Sequence, residues 1–282
     1  MSLKIDKNIP IQGKHELPIV TDFMFQERHS KLPIVIFCHG YKGFKDWGAW
    51  PLMCQAIAKQ GFFVVAFNFS HNGGTIENPI DFPNLEAFGN DNFSKQQDDL
   101  QSVISAVTDK NFKYSSHVNA ADLTLIGHSR GGGAIIIKAA NEIKVTKLIT
   151  LAAISTYDTS FPKGEALQAW KKTGVWKIKN GRTRQEMPHY IQFYEDYIKN
   201  KMALNIAAAT KKINIPHLIV HGTSDTSVPL ERAKELAVLN ANAETYFLDS
   251  DHVFGGKHPW EKQEMSTDLY QVTQKIISFL AE

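Results

Sequence analysis

The chain is poor in cysteine, with two in 282 residues, Cys38 and Cys54. Cys38 lies in an apolar strand-like run and Cys54 in a helix-like one, so both are expected as buried thiols rather than as a disulfide or a metal site. An excess of one charge is also missing. The formal net charge is +2 and no long run of Lys and Arg occurs, which leaves no electrostatic case for nucleic acid or an acidic membrane as partner. Long apolar segments are absent as well. Nothing approaches the roughly 18 apolar residues of a membrane span, and the opening MSLKIDKNIPIQGKHELPIV holds no apolar stretch of signal-peptide length. A cytoplasmic protein is the expectation. No internal repeat or low-complexity tract interrupts the chain.

What is present is an ordinary globular balance, 43% hydrophobic and 21% charged residues, enough to bury a large core in a single α/β domain spanning residues 1–282. Short runs of branched and aromatic residues recur: LPIVIFCHG, FFVVAFNFS, LTLIGHS, KLITLAAI, PHLIVHG and ETYFLDS. Such near-continuous apolar runs suit strands covered on both faces, hence a mostly parallel sheet. Between them the pattern predicts helices over Trp50–Gln60, Asn92–Asp109, Arg130–Glu142, Pro229–Asn240 and Ser266–Leu280, an alternation that means βαβ crossovers. Val20–Glu27 alternates more loosely and reads as an antiparallel edge strand before the parallel series.

One interval breaks this rhythm. From Ser155 to Ile213 no sheet strand is evident, and the segment carries Trp170, Trp176, Met187, Tyr190, Phe193, Tyr194 and Tyr197. A structureless loop of that length is rare, so a partly helical insertion is expected. Its place after a strand's C-terminal end, where open parallel sheets bind ligands, makes it a cap over a pocket walled by Trp170, Trp176, Met187, Tyr190 and Phe193. The plainer alternative is a helical excursion whose aromatics pack on the body.

The most informative stretch is LTLIGHSRGGG, residues 123–133. Gly127-His128-Ser129-Arg130-Gly131 fits GxSxG, in which a serine on a tight strand-to-helix turn exposes its Oγ at the sheet edge. Neighbours without Cβ let strand and helix approach closely there. A serine hydroxyl needs a base to take its proton and an acid to orient that base. Asp225, in HGTSDTSVP, and His252, in LDSDHVFGG, each follow a separate strand at the same edge. Asp249 and Asp251 are rival acids and His258 a rival base. His71 and His189 could face the pocket without acting in it, while His128 and His221 suit structural roles. For the oxyanion, the backbone N–H of Arg130 is one donor, and Tyr41, in the loop His39-Gly40-Tyr41-Lys42-Gly43 after an early strand, is the candidate for the second.

These residues together resemble the α/β-hydrolase family, and within it the dienelactone-hydrolase-like and cinnamoyl or feruloyl esterase-like branches. The likeness spans nearly the whole chain through CHGYKGFKDW, FNFSHNG, GHSRGGG, HGTSDTSVP and SDHVFGGKHPW. It implies a mostly parallel sheet with helices on both faces, a helical cap over residues 155–213, and hydrolysis of small aromatic or aliphatic esters by Ser129, His252 and Asp225 without metal or cofactor. Dienelactone hydrolases proper carry cysteine where Ser129 stands, so their lactone chemistry is not implied. Two rival functions stay open: a serine peptidase of the same fold, and a binding protein that keeps the fold without turnover.

Overall fold

In the computed structural model, which describes residues 2–282, the run Leu32–Cys38 is buried almost throughout, and alternation shares it between two cores. Ile34, Ile36 and Cys38 face one side of the sheet, Val35 and Phe37 the other. The elements follow in the order β1 (Leu3–Ile11), β2 (Ile19–Gln26), β3 (Leu32–Cys38), α1 (Trp50–Lys59), β4 (Phe63–Asn68), α2 (Leu85–Gly89), α3 (Phe93–Thr108), β5 (Val118–His128), α4 (Arg130–Ala139) and β6 (Val145–Leu151). They continue with α5 (Gly164–Thr173), β7 (Val175–Lys179), β8 (Glu186–Tyr190), α6 (Gln192–Lys199), α7 (Ile206–Thr210), β9 (His217–Gly222), α8 (Glu231–Leu239), β10 (Ala243–Leu248) and α9 (Thr267–Ala281).

The main sheet has eight strands in the order β1-β2-β4-β3-β5-β6-β9-β10. β2 pairs antiparallel with β1 and β4, and every pairing from β4 to β10 is parallel. One face is covered by α3, α4 and α8, through side chains such as Leu100, Ile104, Ile135 and Leu236. The other is covered by α1 and α9, through Met53, Ile57, Leu269, Val272 and Ile276. Each such side chain, fully buried, contributes roughly 1.5–3 kcal/mol. The helix starts have local causes. The Asn92 side chain accepts from the Lys95 N–H at 2.8 Å, and Ser266 Oγ from the Leu269 N–H at 3.2 Å, caps typically worth about 1 kcal/mol.

The α/β-hydrolase architecture expected from the sequence is therefore present, with two differences. Val20–Glu27 forms β2, but it is not the edge, because β1 lies outside it. β1, LKIDKNIPI, is half-buried and mixes charges with Pro10, a composition that gives little strand signal yet suits an outer strand, where a missing N–H and charged side chains cost least. The interval 155–213, expected to be partly helical, also holds strands. Beside α5, α6 and α7 it contains the antiparallel hairpin β7–β8, whose alternating strand VWKIK is too short to stand out from a helical background. Cys38 and Cys54 are buried and unbridged, as expected, and burial raises both thiols above their ordinary range. Among the described residues no helix is long and apolar enough to cross a membrane.

Candidate active site

β5 runs into α4 through Ser129, whose backbone sits at φ 54°, ψ −117°, a conformation sparsely populated by residues with a side chain. The strain is held by main-chain contacts on both sides. The Ser129 N–H donates to Leu151 O at 2.9 Å, and Ser129 O accepts from the N–H groups of Gly133 and Ile154, each at 3.3 Å. A Cβ on Gly131 would collide with the His39 and Cys38 carbonyls, so the corner closes only on glycine.

Beyond β9, the Asp225 carboxylate accepts at Oδ1 from the N–H groups of Ser227 (2.8 Å) and Val228 (2.9 Å). Its Oδ2 lies 2.7 Å from His252 Nδ1, and His252 Nε2 lies 3.0 Å from Ser129 Oγ. Burial alone would raise the Asp225 carboxyl, but the hydrogen bonds from His221, His252 and the Val228 amide outweigh it and hold the group well below the usual carboxylate range. With an ionised acceptor at Nδ1, the imidazole presents Nε2 to the serine as proton acceptor.

The rival groups are engaged elsewhere. Asp249 accepts from Ser224 Oγ, and Asp251 from the amides of Val253 and Gly255. His258 accepts from the Gly48 N–H at 3.0 Å and packs against Phe44 and Trp47. His71 bonds Ser70 Oγ. His128 reaches the His252 carbonyl through Nε2 at 2.9 Å and stands 4.7 Å, ring to ring, from that histidine, so it braces the loop that carries it. His221 contributes more than sequence position suggested: its Nε2 bonds Val228 O at 2.8 Å and lies 3.3 Å from Asp225 Oδ2. The sequence offered no signal for that, since the ring is buried at the end of an apolar strand.

The loop after β3 crosses directly over the serine, for a Cβ on Gly40 would lie 2.9 Å from Ser129 Cβ. Its base is tied by His39, whose Nδ1–H donates to Gly40 O at 2.8 Å while Nε2 accepts from the Phe69 N–H at 3.4 Å. Burial pulls that imidazole down to about 4, so it is neutral. Farther along, buried Lys45 pairs with buried Asp22 of β2 at 2.8 Å. The N–H groups of Tyr41 and Arg130 donate to no group among the described residues. The Arg130 guanidinium lies 3.9 Å from the Tyr41 ring centroid and forms no ion pair among the described residues. Behind it a chamber of about 20 Å³, room for a single water, is bordered by Asp91 and Gln96. Asp91 Oδ1 and Gln96 Oε1 are buried there without a hydrogen-bond partner among the described residues.

A cavity of about 440 Å³ opens over Ser129 and His252, walled by Tyr41, Ile154, Trp176, Ile178, His189 and Val228, with Lys42 and Arg130 at its border. Of the five residues expected to wall it, only Trp176 does. Trp170 is buried, with its Nε1–H donating to His189 O at 2.8 Å. Met187 is buried among Phe44, Phe82 and Phe88. Phe193 packs on Phe93 and His189, and the Tyr190 hydroxyl turns outward to Glu86. Trp176, Ile178, Met187 and His189 share one face of the hairpin, Trp176 opposite His189 and Ile178 opposite Met187; the cavity takes Trp176, Ile178 and His189, while Phe44, Phe82 and Phe88 cover Met187. No composition rule reveals that division of one face.

A parallel sheet with an antiparallel start, a strained serine at a strand-to-helix corner and a histidine and carboxylate joined to it define an α/β hydrolase. Over residues 16–271 the chain matches the Esterase family, described as "Putative esterase". It belongs to that family and is a carboxylic ester hydrolase. Solved structures similar to it include Est1E from Butyrivibrio proteoclasticus with ferulic acid bound, with a TM-score of 0.72 and 16% identity over 97% of this chain and 98% of that one. The esterase domain of a Rhodothermus marinus protein has a TM-score of 0.65 and 19% identity over 99% and 98%. Dienelactone hydrolase from Anabaena variabilis has a TM-score of 0.63 and 12% identity over 99% and 97%. At these identities the likeness speaks for the fold.

Proposed function

We propose that this esterase is cytoplasmic and cleaves esters of small aryl or acyl acids through an acyl-enzyme on Ser129. His252 takes the Oγ proton as the Oγ–C bond forms, and Asp225 orients the ring and stabilises the imidazolium. The amides of Tyr41 and Arg130 receive the oxyanion. Collapse of the tetrahedral species returns the proton from His252 to the departing alcohol. Water, deprotonated by the same imidazole, then attacks the acyl carbon and releases the acid. No metal or cofactor is needed for either half.

The observation that carries this reading is the unbroken hydrogen-bonded chain from Asp225 Oδ2 through His252 to Ser129 Oγ. Residues 155–213 act as a cap that contributes Trp176, Ile178 and His189 to the cavity wall, and a solved structure of like fold holds ferulic acid, an aryl acid. No carboxylate borders the cavity among the described residues, so nothing there would receive the amino terminus of a peptide. Two unbridged, buried cysteines fit a reducing compartment.

Ser129→Ala tests the assignment. Hydrolysis of p-nitrophenyl butyrate and labelling by a fluorophosphonate should both vanish while the melting temperature stays within a few degrees. Undiminished turnover would remove Ser129 from the mechanism.

A further inference from the structure

The tip of the loop over Ser129 is held differently from its base. His39 and Lys45 fasten the base to the sheet, whereas Tyr41 and Lys42, the latter at φ 54°, stand clear of it. Among the described residues the one hydrogen bond from Tyr41 and Lys42 runs to the insertion: Tyr41 Oη lies 2.7 Å from His189 Nε2 on β8. His189 is firmly seated. It is buried, stacked on Phe193 with ring centroids 5.1 Å apart, and flanked by Trp176 and Phe88. Its carbonyl accepts from Trp170.

Burial, helped by the nearby Arg130 and Lys42 cations, takes the His189 imidazole down to about 3, and burial raises the Tyr41 phenol above its ordinary range. Both groups are therefore neutral at working pH. In the arrangement where the phenol donates to Nε2, the ring's other nitrogen carries the proton. That Nδ1 is buried and has no partner among the described residues. Burying an imidazole with one nitrogen unsatisfied is costly, so the histidine's contribution lies in its contact with Tyr41 rather than in stability. The Arg130 guanidinium rests on the face of the same phenol. The side chains of the two residues whose amides are proposed to meet the oxyanion thus lie on one another, and the hairpin pins the outer one.

We propose that His189 is a positioning residue for ester hydrolysis: through the Tyr41 hydroxyl it fixes the tip of the oxyanion loop, which makes the hairpin of the insertion part of the apparatus that meets the transition state. The inference rests on the oxyanion assignment above. An amide that drifts by a fraction of an ångström weakens its hold on the tetrahedral species more than on the ground state, so the effect belongs in kcat.

The experiment compares Tyr41→Phe, which keeps the ring under Arg130, with His189→Phe, which keeps the stack, and with their double variant, on p-nitrophenyl acetate. Each single change should lower kcat about 10- to 100-fold with KM moved less than about threefold. The double should be no worse than the poorer single, because both remove one contact. His189→Gln, which retains an acceptor, should recover much of the loss. The inhibition constant of benzeneboronic acid, which presents a tetrahedral oxygen to the same amides, should rise by the factor that kcat/KM falls. Losses that multiply in the double, a change in KM alone, or full activity of Tyr41→Phe would each overturn the proposal. Should Ser129→Ala remain active, it is the hydrolase mechanism that fails; should it be dead while Tyr41→Phe and His189→Phe are unimpaired, only the positioning role fails.

Discussion

Gly127 and Gly131 pack backbone against backbone: a methyl group added to Gly127 would sit 2.6 Å from the carbonyl oxygen of Gly131 and 2.8 Å from the Gly132 nitrogen. Strand β5 and helix α4 close to that distance because Gly127 carries no Cβ, while the missing Cβ of Gly131 lets the helix start approach the Cys38 and His39 carbonyls; the closure holds Ser129 between them at positive φ.

Gly127→Ala should therefore act on stability and rate together. Overpacking a corner of this kind costs about 1–3 kcal/mol, roughly 2–10 °C in melting temperature for a chain of this size. The part of the shift that moves Ser129 Oγ off the His252 axis should lower kcat at least about tenfold. Thermal melts and steady-state kinetics on p-nitrophenyl butyrate check both. A variant as stable and active as the parent would mean that the close approach is not what shapes the elbow.

Asp225→Asn isolates the charge. The amides of Ser227 and Val228 bond Oδ1 and can still do so, so the loop should keep its shape. The imidazole loses the anion at Nδ1 that orients it and stabilises its protonated form. A drop in kcat on the order of 10³- to 10⁴-fold is expected, with KM little changed. A loss below about tenfold would mean that the charge of Asp225 is not what orients the imidazole.

Asp91 gives a pH signature. Burial pushes its carboxyl from an ordinary 3.8 up to about 7, and the nearby Arg130 cation offsets only part of that. Between those values the folded chain holds a proton that the unfolded chain has released, so this group's contribution falls as pH rises from about 4 to about 7 and stays low above. Asp91→Asn mimics the protonated acid and should remove the loss. The melting temperature of the variant minus that of the parent should increase by at least about 3 °C between pH 4 and pH 8.5. The reverse trend would mean that attraction between ionised Asp91 and Arg130 dominates its burial.

Much of the fold was legible because it depends on local pattern. Apolar runs such as LPIVIFC are buried whatever lies beside them, and the helix between two parallel strands must cover a face. The elbow was legible for the same reason: GHSRGGG specifies a corner through what glycine lacks. The outer strand β1 and the β7–β8 hairpin were not legible, since strands of five to nine residues with few apolar positions do not reveal their period.

The aromatic residues of the insertion show where local reading ends. Trp170, Trp176, Met187, Tyr190 and Phe193 carry the same apolar signal, yet only Trp176 faces the cavity. Met187, Tyr190 and Phe193 are claimed by partners far away in the chain, Phe44, Phe82, Glu86 and Phe93 among them, and Trp170 by Phe161 and the His189 carbonyl within the insertion. His189, unremarkable among eleven histidines, bonds a tyrosine 148 positions earlier.

By itself the sequence determined the alternation of strand and helix and the serine at the turn, because both follow from short-range sterics and from apolar side chains that must leave water. The tertiary structure alone decided which imidazole stands 3.0 Å from Ser129 Oγ, which aromatic rings wall the cavity and which loop tip the hairpin holds. Those are contacts across more than a hundred residues, and they are set by how whole layers pack rather than by any neighbour in the chain.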